Sequence, residues 1–374
     1  PLDRPAVVAR IDDLLLAKLS QAGIEPAKIS GDSEFLRRVY LDLTGQIPSV
    51  STARDFFDDQ QPNKRLRVID QLLSKPKTFR HFAEVWRKLL LPGNTSPELL
   101  QQAVGLEAWL RDKFSDELRY DRIVSDIIAA TGSAAEGPAL FFTALESDPK
   151  KIAAATARIF LGLQLECAEC HDHPFDDWKQ EDFWGYAAFF ARLPKNEGMM
   201  PARDQRLVDR RTGEVTLPDT DQVVAPQFPG GHHPSPQEPG TRRQQLAIWM
   251  GSPENPYLAR AFVNRVWAQL FGLGLVEPVD DMGPHNPASH PEVIDLLADY
   301  FVASGYDFQE LLRTVCQTQA YQRTSESSSQ DPQPDELFAA MRVKVLTAEQ
   351  LYDSLRSCLT QNEQESERQP LPFN

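Results

Sequence analysis

Apolar residues recur at helical spacing through most of this chain, and the pattern lapses for one long stretch only, from Pro194 to Gly240. The first segment carries Val7, Ile11, Leu14, Leu15 and Leu19 on one face, with Gly23 as a stop. Similar periodicity predicts helices over 34–43, up to Phe57 after Ser51, 64–73, 79–90 behind Thr78, 98–114 and 120–130. A helix from Lys150 to about Cys167 and another over 181–192 close this half. Helices resume over 241–250, over 256–271 with Gly272 as a stop, and over 291–304, 308–319 and 347–360. The expected fold class is therefore mainly α. At 374 residues the chain exceeds a comfortable single core. Two helical modules, 1–193 and 241–374, are expected around an irregular Pro- and Gly-rich linker, 194–240. Within the linker, Arg206–Asp209 and Glu214–Leu217 read as a small β-hairpin turned by Arg210–Gly213.

A formal net charge of −15 argues against nucleic acid and anionic membrane surfaces, which would repel the chain. It suits a basic redox partner protein. No apolar run reaches the length of a transmembrane helix. Residues 1–10 lack a basic region followed by an apolar one, so an exported protein would start here at a mature terminus.

The sharpest chemical signal is Cys167-Ala168-Glu169-Cys170-His171, the sole C-x-x-C-H in the sequence. The pattern reads first as a c-type haem attachment site, for electron transfer or haem-based oxidative chemistry. Two thiols at i and i+3 share one side of a helical turn and can reach two vinyl groups of one porphyrin. The adjacent His171 would be the proximal iron ligand. Trp178, Phe183 and Trp184 would cover the haem and tune its potential. His173 precedes Pro174 and cannot reach the opposite haem face. Candidates for a sixth ligand are Met199, Met200, His232, His233, His285, His290 and His81.

Three other readings stay open, the first two of which would make the chain a non-haem metal-binding enzyme or hydrolase. Zinc could take Cys167, Cys170, His171 and His173, although four ligands within seven residues fit one tetrahedron poorly. Calcium could use the carboxylates of Glu169, Asp172, Asp176, Asp177, Glu181 and Asp182. A Cys167–Cys170 disulfide would make the turn structural and the chain a binding module. Cys316 and Cys358 are expected as two buried free thiols, with a disulfide as the rival. Asp280-Asp281 is expected to cap a turn, and Asn264, Arg265 and Trp267 to serve packing and ion pairing.

With these residues in view, the chain resembles a planctomycete cytochrome-like family of unknown function. In that family a cytochrome-like module precedes a characteristic C-terminal partner module. The first is carried here by Phe35–Pro48, Leu161–Asp176, Trp178–Trp184 and Ala187–Phe190. The second is carried by Asn255–Trp267, Phe271–Asp281, Ser289–Glu292 and Ser304–Asp307. The resemblance implies export to the periplasm or outside, and haem c on Cys167, Cys170 and His171, with no settled activity and no named substrate. His285 departs from the family pattern, and the second module stops early at Asn374.

Overall fold

A computed structural model describes residues 3–116, 119–133, 135–194, 206–235, 237–326 and 334–359. It is mainly helical, as the periodicity predicts, with two small antiparallel strand pairs. The first helix, Arg4–Gln21, shows why. Pro5 sits in its first turn, where a missing N–H costs nothing, and Val7, Ile11, Leu15 and Leu19 form a buried stripe four residues apart. The next, Asp32–Thr44, ends at Gly45 in the left-handed conformation. Helix Pro76–Leu90 starts two residues before the expected Thr78 cap, because Pro76 is preorganised for a first turn. Thr78 is buried instead and donates to the Leu72 carbonyl.

One continuous apolar core runs from Val7 to Met341. The N-terminal helix Arg4–Gln21 packs on Pro291–Ala303 and Phe308–Gln317, from the far end of the chain. At the centre Trp86 stacks near Phe160 and lies 6.0 Å from Phe262, while Tyr120 stacks on Phe262 at 3.8 Å between ring centres. Both halves thus bury their aromatic rings in the same place.

The expected hairpin is corrected. Arg206–Leu207 pairs with Gly132–Ser133, and Val215–Thr216 pairs with Val223–Val224. The turn that works is Pro218–Asp221: Asp219 takes a positive φ, and Thr220 donates its amide to Leu217. The Arg210 amide is drawn away to the Arg192 carbonyl.

Candidate functional site: the Cys167–His171 turn and its flanking cleft

The helix expected to run into the cysteines stops short. Pro149–Thr156 is α-helical, Ala157–Leu161 widens into a π turn, and Gly162 ends it at φ +68°. Any Cβ on Gly162 would press on Met282 Sδ at 2.8 Å, and the Met282 amide donates to the Gly162 carbonyl. A widened turn leaves carbonyls without helical partners. Arg265, from helix Leu258–Phe271, supplies them, donating from Nη2 to Arg158 O at 2.9 Å and from Nε to Ile159 O at 3.3 Å.

Cys167 lies in a 3-10 helix, Leu165–Glu169, and Cys170 follows it directly. Residues i and i+3 eclipse in that geometry, so the two side chains fall on one side. Both cysteines are exposed and free. The disulfide alternative is therefore absent from this fold. The Glu169 carbonyl is held by Trp184 Nε1 at 3.0 Å and Gln180 Nε2 at 3.2 Å, and its carboxylate by Lys150 at 2.9 Å. That last contact raises the Lys150 pKa above its ordinary value.

The two histidines of the motif are held in opposite senses. His171 Nδ1 meets the Asp172 carbonyl at 2.7 Å. A carbonyl only accepts, so Nδ1 carries a proton, and the neutral ring then keeps its lone pair on Nε2, the arrangement of a metal-ligating imidazole. His173 Nδ1 instead accepts the amides of Phe175 and Asp176, at 3.2 and 2.9 Å. The neutral ring then carries its proton on Nε2, and neither nitrogen offers a lone pair. A zinc site using His173 would have to break both bonds.

Asp172 closes the loop. Its carboxylate accepts the Gln180 amide at 3.0 Å and Lys179 Nζ at 3.3 Å, and those donors hold its pKa below the usual range. It thereby covers the start of helix Gln180–Ala187. Asp182 accepts from the Lys179 amide and Gln227, so much of the acidic rim is internally paired. Among the described residues no group of three or more His, Cys, Asp or Glu is arranged to hold a metal ion.

The other candidate ligands scatter. His285 is brought to the motif loop, its ring 6.2 Å from that of His173. Its Nδ1 lies 3.2 Å from Asp176 and its Nε2 3.1 Å from Asp281. Sequence reasoning offered His285 only as one of seven candidate iron ligands and read Asp281 as a turn residue. The Asp-x-x-x-His spacing was visible, but the Asp176 contact was not. His81 is buried against Gly45, and His290 is buried beside Phe338. His233 Nδ1 binds the Pro226 carbonyl, and His232 is exposed in the same loop. Met199 and Met200 lie outside the described residues. Cys316 is buried and Cys358 exposed, both free, which corrects the expectation of two buried thiols. Asn264 is fully buried, and its side chain pins Val276 and Val279 of the following loop.

Beside the motif loop opens a cleft of about 670 Å³, lined by Asp176, Asp177 and Trp178 together with Tyr257, Arg260 and Asn286. Both halves of the chain build it.

Residues 10–195 match PSCyt2, described as a protein of unknown function (DUF1549), and residues 242–372 match PSD1, likewise a protein of unknown function (DUF1553). No curated protein and no solved structure matches the chain. The cysteine turn falls in the first matched segment and His285 in the second, and both matches are to domains of unknown function found in planctomycete-type proteins.

Proposed function

We propose that this chain is an exported c-type haem protein that exchanges electrons with a cationic partner. Cys167 and Cys170 would form the thioethers, and His171 would ligate the iron. The observation that carries this reading is the 2.7 Å contact of His171 Nδ1 with the Asp172 carbonyl, which in the neutral ring leaves Nε2 as the donor atom. Two exposed, unpaired thiols eclipsed on a 3-10 turn support it. Phe175, 76% exposed beside the turn, offers apolar surface that a porphyrin would cover. When bound, the haem supplies one-electron redox chemistry. The chain's own contribution is to fix the thiol pair, orient the imidazole through the Asp172 carbonyl, and brace the turn through Trp184 and Gln180.

The test is an alkaline pyridine haemochrome spectrum of protein exported through a host with haem c maturation machinery. One c-type haem per chain is expected, lost in Cys170→Ala. No haem in the wild type, or an unchanged spectrum in Cys170→Ala, would overturn the proposal.

A further inference from the structure

We infer that the cleft beside the motif loop binds a neutral polyhydroxylated ligand, a sugar, and that it does so whether or not haem is attached. Asp176 anchors the argument. Its side chain is only 6% exposed, Oδ2 faces His285, and Oδ1 is buried with no hydrogen-bond partner. A buried carboxylate oxygen left unpaired carries a desolvation cost that a donor from a ligand would remove. Beside it, Asp177 is exposed and has no partner among the described residues. Asn286 spends both amide protons on the Glu277 and Asp281 carbonyls, which leaves Oδ1 as an acceptor.

Donors lie along the same cleft. Trp178 and Tyr257 line the cleft, and neither the indole N–H nor the hydroxyl has a partner among the described residues. Their rings also supply two flat apolar surfaces. The volume falls within the usual range for a small-molecule site.

The mixture selects the ligand class. An anion would meet the carboxylates of Asp176 and Asp177, while the one lining guanidinium, Arg260, is already paired with Asp295. A simple amine would satisfy the carboxylates but leave the Trp178 and Tyr257 donors without acceptors. Hydroxyl groups both donate and accept, and a sugar ring presents C–H faces to aromatic rings. A neutral sugar therefore matches the mixture of acceptors, donors and aromatic rings along the cleft.

The experiment probes the purified chain on an array of neutral oligosaccharides, with cationic chitosan and sulfated oligosaccharides printed alongside. The strongest neutral hit is then titrated calorimetrically against haem-loaded protein and against haem-free Cys170→Ala. Binding to neutral members is expected, with equal Kd in the two forms. Asp177→Asn should weaken it about tenfold, a change that touches no contact of the fold. Tyr257→Phe, which removes only a hydroxyl, should weaken it several-fold. No neutral member bound, binding confined to chitosan or sulfated sugars, or wild-type affinity in both variants would each overturn the inference. Failure of haem loading would leave this result standing, because the haem-free form is measured separately.

Discussion

His285 Nδ1 sits 3.2 Å from Asp176, a contact between the loop after helix Leu258–Phe271 and the loop after the cysteine turn. The opposite ring nitrogen faces Asp281, so each nitrogen of one imidazole points at a carboxylate. That geometry favours the protonated ring and ties the two loops together.

Two histidines five residues apart should therefore respond to acid in opposite directions. Hydrogen bonding to Asp281, aided by Asp176, lifts the His285 pKa above its ordinary 6.5. Its contribution to stability is complete below pH 6.5 and fades as pH rises through the lifted value. Burial, helped by Lys18, pushes His290 down to about 4. Its neutral ring favours the fold above pH 6.5, and that advantage drains away as pH falls toward 4. In urea titrations His285→Gln should lag the wild type most at pH 5.5 and converge with it at high pH. His290→Leu should lose less midpoint than the wild type between pH 6.5 and 4. Variants whose offsets from the wild type stay flat across pH would contradict both assignments.

Gly283 should tolerate no side chain. A Cβ there would collide with Asp176 Oδ2 and lie 2.7 Å from His285 Nδ1. Gly283→Ala must displace one of them, at about 1–3 kcal/mol. A thermal melt should show a clear drop, and the pH dependence assigned to His285 should shrink with it. An unchanged melt would mean that the two loops are not held as described.

Arg265 should resist conservative replacement. Its planar head reaches two carbonyls of the π turn at once. Arg265→Met should cost about 2–4 kcal/mol in urea unfolding, since it strands two buried acceptors. Arg265→Lys should recover only part of that. Full recovery by lysine would show that charge, not the forked geometry, is what the turn requires.

Thiol labelling offers a direct check on the cysteines. In haem-free native protein Cys167, Cys170 and Cys358 should react with iodoacetamide within minutes. Cys316, buried and with its thiol pKa pushed far up by desolvation, should stay unmodified until denaturant is added. Mass spectrometry of the labelled peptides separates the four. Early modification of Cys316 would place it at the surface.

What the sequence disclosed was what depends on near neighbours. The Gly272 stop stands where the period of helix Leu258–Phe271 ends, and the Thr241–Gln244 capping box stands at the start expected for helix Arg242–Met250. The cysteine turn was legible for the same reason. The Arg206–Leu207 strand was misassigned because two residues carry no register of their own, and the partner at Gly132–Ser133 is chosen by tertiary packing. The π turn escaped because its carbonyls are satisfied by Arg265, far along the chain. The cleft and the His285–Asp176 contact escaped because each joins segments that only the fold brings together.

Trp86 gives the two domains a common fate. It comes from the PSCyt2 segment, yet one of its ring neighbours, Phe262, belongs to PSD1. Loosening either segment uncovers apolar surface of the other, so the chain has one melting event to offer rather than two. The border between the two family matches does not divide the apolar core.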